Sequence, residues 1–525
     1  MTHVDLKKSA QTGGLFCIPK PFSLAIGWGM ENISRIFLSI SLFILLSFTK
    51  TFAEADLFLT PLLLYFNMLN NMTAKGGIPM KQKKYGLPTA ITMIVGIVIG
   101  SGIFFKSDNI LVYTGGNVAI GILVFSLAAI SIIFGGVAVG ELAARTDEPG
   151  GLVTYAQQFC SDRAACGFGW FQLFLYCPSL VCVVSWVGAL YTFMLFGVES
   201  TLLQQVLLGC GYILLFFSLN IISAKLGGYF QNLATIIKLL PLMLIAGVGL
   251  LFGDPLPMMG ESLSTAASVS PGWIAAVGPI AFAFDGWIIS TSVAHEIKDS
   301  KRNLPLALII SPLFILLAYI LYFVGISALV GPEQVMAMGD AHVDYAANLL
   351  FGPSGAKILL VFIVVSVLGT VNGLVLGLIR MPHALAIRGM LPASHLFSSI
   401  HSKLGVSLPS ALFSFALSLC WMVIHYFTQR YGLLPNSDIS EISITILYGG
   451  YLVLYWKVIQ LARQGEIQSP LRGYVVPLLA SVGSLFILWG GMQNPLFPLY
   501  ALTCAGVLFL SQWYYRRAFS SPKES

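Results

Sequence analysis

Charge is what this 525-residue chain has least of: Asp, Glu, Lys and Arg together make up 10% of it, against 57% hydrophobic residues and a mean hydropathy of +0.85. Soluble domains run at about 25% charged and about 45–50% apolar. A soluble globular chain of this length is excluded, because too little charge is available to cover its surface. Paired cysteines are also missing. The eight cysteines (Cys17, Cys160, Cys166, Cys177, Cys182, Cys210, Cys420 and Cys504) form no CxxC pair and the seven histidines are scattered, so neither a disulfide framework nor a metal site is implied. No Walker A motif, GxGxxG fingerprint or GxSxG elbow occurs, which removes nucleotide-driven transport and hydrolase chemistry. No His/Asp/Glu cluster stands at helical spacing within the apolar runs, so the expectation is no enzyme, no metal and no cofactor.

What is present is a succession of long apolar stretches separated by short charged ones, the pattern of a polytopic all-α membrane protein. They lie near 87–113, 117–144, 167–195, 203–221, 228–252, 272–296, 305–330, 355–386, 408–427, 441–461, 473–491 and 496–514, which makes twelve expected spans. The basic residues test that count. Lys81, Lys83 and Lys84 precede the first span, and Arg145 and Arg163 follow the second. Lys225 follows the fourth, Lys298, Lys301 and Arg302 the sixth, and Arg388 and Lys403 the eighth. Arg463 and Arg472 follow the tenth, and Arg516, Arg517 and Lys523 the last. All fall on one side, which the positive-inside rule makes cytoplasmic, with both termini there. The loop at 331–344 on the other side carries Glu333, Asp340 and Asp344; Lys106, Lys357 and Arg430 are isolated exceptions near that face. The net charge of +6 then reads as basic loops against anionic lipid in a plasma (inner) membrane, not as a nucleic-acid footprint.

Residues 1–79 stand apart. The apolar run Ile36–Phe48 is short of the ~20 residues a span needs, and Met80 opens the basic segment MKQKKYG directly before the first strong span. The extension reads as an appendage, or Met80 as the natural start, with a thirteenth helix as the alternative; the transporter domain is expected over 80–525.

Two spans are expected to be broken. Gly96, Gly100 and Gly102, with Ser101, interrupt the first apolar run (MIVGIVIGSGIFF), and Asp285-Gly286 interrupts the sixth (PIAFAFDGWIIS). Each glycine costs about 1 kcal/mol in a helix interior relative to alanine, and unwound backbone at membrane depth is tolerable only where it lines a cavity. Small residues also serve close helix packing. Interrupted segments in corresponding positions of two halves, five spans apart, point instead to a substrate site in an inverted repeat of five plus five helices. Half-helix N-termini would receive a carboxylate there, and C-terminal ends and free carbonyls an ammonium group. An amino acid is the natural ligand of such a bipolar site.

Charges inside the runs sharpen this expectation. Lys238, within LATIIKLLPLML, either snorkels to the cytoplasmic face or sets a fixed ammonium against the unwound backbone where a sodium ion would otherwise bind. Asp285 either helps receive a substrate ammonium or caps the helix that follows. Glu141 and Glu296 are expected to pair with Arg145 and the 298–302 basic cluster. Thr370 and Asn372 are expected to hydrogen-bond between helices, and Phe282, Phe284 and Trp287 flank the second break as lid or packing aromatics.

These segments resemble the amino acid–polyamine–organocation superfamily, and within it the L-type amino acid transporters and their bacterial serine/threonine-exchanger-like relatives. The resemblance runs from about Tyr85 to Trp513. It rests on IGSGIFFK at 99–106, GELAARTDEPGGLVTY at 140–155, SAKLGGYFQNLATIIKLLPL at 223–242, FAFDGW at 282–287 and AHEIKDSKRNLP at 294–305, which are specific jointly rather than singly. It implies a LeuT-like five-plus-five inverted repeat with discontinuous helices 1 and 6 and two extra helices. It implies carboxylate recognition by backbone around Ile99, Gly100, Ser101 and Gly102, and ammonium recognition by carbonyls around Phe282, Ala283, Phe284, Asp285 and Gly286. Phe282 would be the gating aromatic, Lys238 would fill the sodium site of related transporters, and antiport would be the mode. Asp285 departs from the small residue usual there, leaving room for a cationic ligand such as a polyamine or basic amino acid. Asp299-Ser300 replaces the usual Asn-Pro. No equivalent of the cysteine that binds a heavy chain in the animal branch is found, so no such subunit is expected.

Overall fold

The computed structural model describes residues 86–100, 102–146, 151–222, 224–288, 297–401, 404–434 and 436–520; the N-terminal extension, Ser101 and Glu296 lie outside the described residues. Among the described residues the protein is helical, with no β-strand. The principal helices are α1 (Leu87–Val98), α2 (Gly102–Tyr113), α3 (Val118–Ala143), α4 (Asp162–Phe196), α5 (Leu202–Ile222), α6 (Ala224–Phe252), α7 (Pro255–Thr265) and α8 (Pro271–Ala283). They continue as α9 (Ser300–Val330), α10 (His342–Leu378), α11 (Leu408–Arg430), α12 (Glu441–Arg463), α13 (Val476–Gly491) and α14 (Phe497–Ser520).

Local chemistry sets several of these boundaries. Pro88 opens α1, where its missing N–H removes no helical bond. Asn117 caps α3 by accepting from the Ile120 N–H at 2.9 Å, and its amide reaches the Ser262 carbonyl at 2.7 Å to tie α3 to α7. Ser161 caps α4 by accepting from the Ala164 N–H. Gly352 (φ 64°) and Pro353 put a kink into α10, where the proline cannot donate to the ladder.

Among the described residues, eight of the helical segments are long and apolar enough to cross a membrane, and ten if two bent pairs each count as one span. One of those pairs is α1 with α2, bent by 50° at the glycine-rich break; the other is the second half of α6 with Pro255–Ser268, bent by 89°. Each of the twelve expected stretches contains helix over its described residues. Large apolar side chains such as Leu207, Leu317, Ile358, Val482 and Phe509 are exposed. Polar residues such as Asn220, Lys238, Asn372, Ser414 and His425 are buried. An apolar exterior around a polar-containing interior is what a bilayer solvent favours.

The broken segments lie inside this packing. α1 packs against α6 and α9, α2 against α8, and α8 against α3 and α12.

Candidate functional site

The first break begins where α1 ends at Ile99, whose backbone is extended (φ −71°, ψ 105°) and whose N–H still reaches the Val95 carbonyl. Gly96 is thus the last turn of a helix, and the unwinding lies at Ile99 and Gly100. Ser101, the third member of the expected carboxylate site, lies outside the described residues. The second break begins where α8 ends at Ala283; Phe284 to Ile288 form turns, and Gly286 sits at φ +96°, a conformation that L side chains rarely adopt.

The two breaks touch. A Cβ on Gly102 would stand 2.6 Å from the Cα of Ala283, and one on Gly286 would stand 2.8 Å from the Ile97 side chain. The glycines therefore serve close approach as well as unwinding, and the two breaks meet at two points. Tyr319 on α9 bridges them: its hydroxyl donates to the Ala283 carbonyl at 2.9 Å and lies 3.4 Å from the Val98 carbonyl. The Phe282 carbonyl accepts from the Asp285 N–H at 3.1 Å. Two of the carbonyls expected to meet a substrate ammonium, those of Phe282 and Ala283, thus already accept hydrogen bonds. Phe282, Ala283, Phe284 and Asp285 are all buried.

Lys238 points inward rather than snorkelling. It is 1% exposed, and its Nζ donates to the Gly96 carbonyl at 2.5 Å and to Thr370 Oγ1 at 3.0 Å. The Gly96 carbonyl lies in the last turn of α1, where the negative end of the helix dipole also lies. Neutral oxygens at a helix C-terminus therefore hold this ammonium. Thr370, expected as a generic interhelical contact, joins this cluster, and a Cβ on Gly100 would stand 2.5 Å from its hydroxyl. Asn372 lies apart, accepting from Asn220 Nδ2 at 2.9 Å between α10 and α5, as a helix-to-helix bond should.

The Asp285 carboxylate accepts from the Tyr176 hydroxyl at 2.6 Å. Tyr176 is placed by a π-helical turn in α4, Gln172–Tyr176. Trp287 donates from Nε1 to Tyr448 at 3.3 Å and its ring meets Tyr451 edge-on; Phe284 packs against Tyr319 and Phe125. Arg145 pairs with Glu141 at 2.8 Å, as expected, and Arg472 approaches the same carboxylate at 3.5 Å.

One set of charges was not foreseen as a site. Lys106 on α2, read from sequence as an isolated external cation, is buried against Asp438 at 2.8 Å and Glu441 at 2.5 Å. Its Nζ also lies 5.2 Å from the centre of the Phe282 ring, within cation–π range. The only sequence signal was the position of a lysine four residues past a glycine break.

A family profile for amino acid permeases matches residues 85–508. The chain is similar to the serine/threonine exchanger SteT of Bacillus subtilis (strain 168), with 31% identity over 417 residues, 78% of this chain and 90% of that protein. It is similar to the b(0,+)-type amino acid transporter 1 of Mus musculus, 24% identical over 78% of this chain and 82% of that one. With the Asc-type amino acid transporter 1 of Homo sapiens it shares 26% over 78% and 81% respectively.

Proposed function

The chain belongs to the amino acid permease family, and on that premise we propose that it carries L-amino acids across the membrane by sodium-independent exchange. The observation that carries this reading is the meeting of two broken helices beside a buried lysine. A half-helix N-terminus at Gly102 offers N–H groups without helical acceptors to a carboxylate, and the turn at Phe282–Gly286 offers carbonyls to an ammonium group. Lys238 fills with a fixed ammonium the place where a coupling sodium ion would bind. Ile99, Gly100, Ser101 and Gly102 form the carboxylate half of the site, and Phe282, Ala283, Phe284, Asp285 and Gly286 the ammonium half. Phe282 and Trp287 gate it. Alternating access follows from parting the contacts of Gly102 with Ala283 and of Gly286 with Ile97, with Tyr319 exchanging its carbonyl bonds.

Under this reading the ten apolar spans, joined by Pro271–Ala283 and Phe497–Ser520, make twelve, arranged as a five-plus-five inverted repeat with two further helices. Both termini are cytoplasmic, and the chain works without a heavy-chain subunit. SteT, a serine/threonine exchanger by name, supports exchange as the mode.

Counterflow tests it. Liposomes containing the purified protein and loaded with an unlabelled L-amino-acid mixture should take up labelled amino acid saturably, and empty liposomes should take up little. Equal uptake into empty liposomes under a pH gradient would instead mean proton-driven import. A second reading, a polyamine or basic amino-acid antiporter, is favoured by the buried Asp285 carboxylate; it requires competition by polyamines or arginine, lost in Asp285→Asn.

A further inference from the structure

Lys106, Asp438 and Glu441 form a buried cluster whose charges do not balance. One ammonium faces two carboxylates, and the three side chains are at most 5% exposed. The two acids are held unequally. Asp438 Oδ1 accepts from the Ser440 N–H at 2.7 Å and the Ser440 hydroxyl at 2.5 Å, while Oδ2 faces Lys106. Two donors and a cation compensate that anion. Beyond Lys106, Glu441 has one neutral partner, the Ser437 hydroxyl at 2.6 Å, which Asn494 Nδ2 approaches at 3.1 Å. Glu441 also lines a cavity of about 280 Å³ that reaches the surface at Asn436, Gln493 and Pro495.

Among the described residues, the surroundings add no fixed positive charge. Tyr113 lies within electrostatic reach of Glu441; His425, Tyr500 and Cys182 lie within reach of Asp438; and Asp108 and Asp340 lie within reach of Lys106. Both His425 ring nitrogens and the Tyr500 hydroxyl are buried without a hydrogen-bond partner. An uncompensated buried charge costs several kcal/mol, and a carboxylic acid removes it. A hydroxyl such as that of Ser437 can donate to a carboxylate or accept from the acid, so the contact survives either state.

We propose that Glu441 is a proton-binding site. The proton is held while Lys106 clamps α2 to the start of α12, and it leaves to water through the cavity. The carboxylate left behind pairs more strongly with the Lys106 ammonium and draws it away from the Phe282 ring, which Lys106 otherwise covers. External pH thereby acts on the gate of the proposed exchanger.

Infrared difference spectra of the purified full chain, between mildly acidic and mildly alkaline pH, test this directly. Wild type should show a carboxylic-acid carbonyl band that is absent in Glu441→Gln and kept in Asp285→Asn. A band unchanged in Glu441→Gln overturns the proposal. Should that variant fail to fold, Ser437→Ala should shift the band frequency, and an unshifted band overturns it equally. A second arm rests on the exchange reading: the several-fold ratio of wild-type counterflow between acid and alkaline pH should fall to unity in Glu441→Gln. Loss of the band with the ratio intact contradicts the coupling to the gate. Absence of counterflow in wild type counts against the exchange reading alone, and the spectra still decide the proton site.

Discussion

At Gly102 one methyl group decides whether the two breaks can meet. A Cβ there would stand 2.6 Å from backbone of Ala283, which cannot swing aside as a flexible side chain can. Overpacking of this kind costs about 1–3 kcal/mol. Gly102→Ala should therefore lower the melting temperature in detergent and abolish counterflow. Gly260→Ala, at an exposed helical position where nothing lies within 4 Å, should be neutral or slightly stabilising. Equal counterflow in the two variants would contradict the close approach. The glycines of the break were legible in the sequence because their cost is local to the helix that contains them. Lys238 was legible as an intramembrane charge, but its direction was not: snorkelling and burial predict the same sequence, and only the bond to the Gly96 carbonyl distinguishes them. Lys106 was misjudged for a related reason. Its partner Glu441 is 335 residues away, and counting basic residues by side treats any lysine near a span end as solvated.

The turn at Asp285-Gly286 was foreseen, but the π-helical turn in α4 was not, since one extra residue in a turn leaves a mostly apolar stretch with no altered period to read. That turn brings the Tyr176 hydroxyl to Asp285. Removing one partner of a buried pair costs about 1–3 kcal/mol, so Tyr176→Phe and Asp285→Asn should each destabilise. Combined, they should cost less than their sum by at least about 0.5 kcal/mol in a double-mutant cycle. Additive losses in denaturation would mean the contact carries no energy. The bend of 50° between α1 and α2 likewise follows from the glycines, whereas the 89° bend after α6 was read as a plain span end.

Over the whole molecule, the sparse charges are divided by face. Arg145, Glu141 and Arg472 pair where α3 ends and the segment into α13 begins, on the side proposed to be cytoplasmic. Glu441, Asn436 and Gln493 line a cavity at the opposite ends of the spans. Single cysteines introduced at the exposed positions Gln464 and Gln493 should separate the two faces. In intact cells an impermeant maleimide should label Gln493→Cys and not Gln464→Cys; the reverse would invert the proposed orientation. The apolar spans were legible almost throughout, because a bilayer demands them of the sequence itself. The packing of two breaks against each other was not, because it depends on which helices become neighbours. The central claim is that Lys238 stands where a coupling cation would, held by two bonds each worth about 1.5–3 kcal/mol to a charged donor. Counterflow in sodium and in choline, for wild type and Lys238→Ala, tests it most directly. Equal wild-type rates in both salts and a loss of at least about tenfold in the variant, equivalent to about 1.4 kcal/mol, are predicted; a wild-type rate that collapses in choline, or a fully active variant, would contradict it.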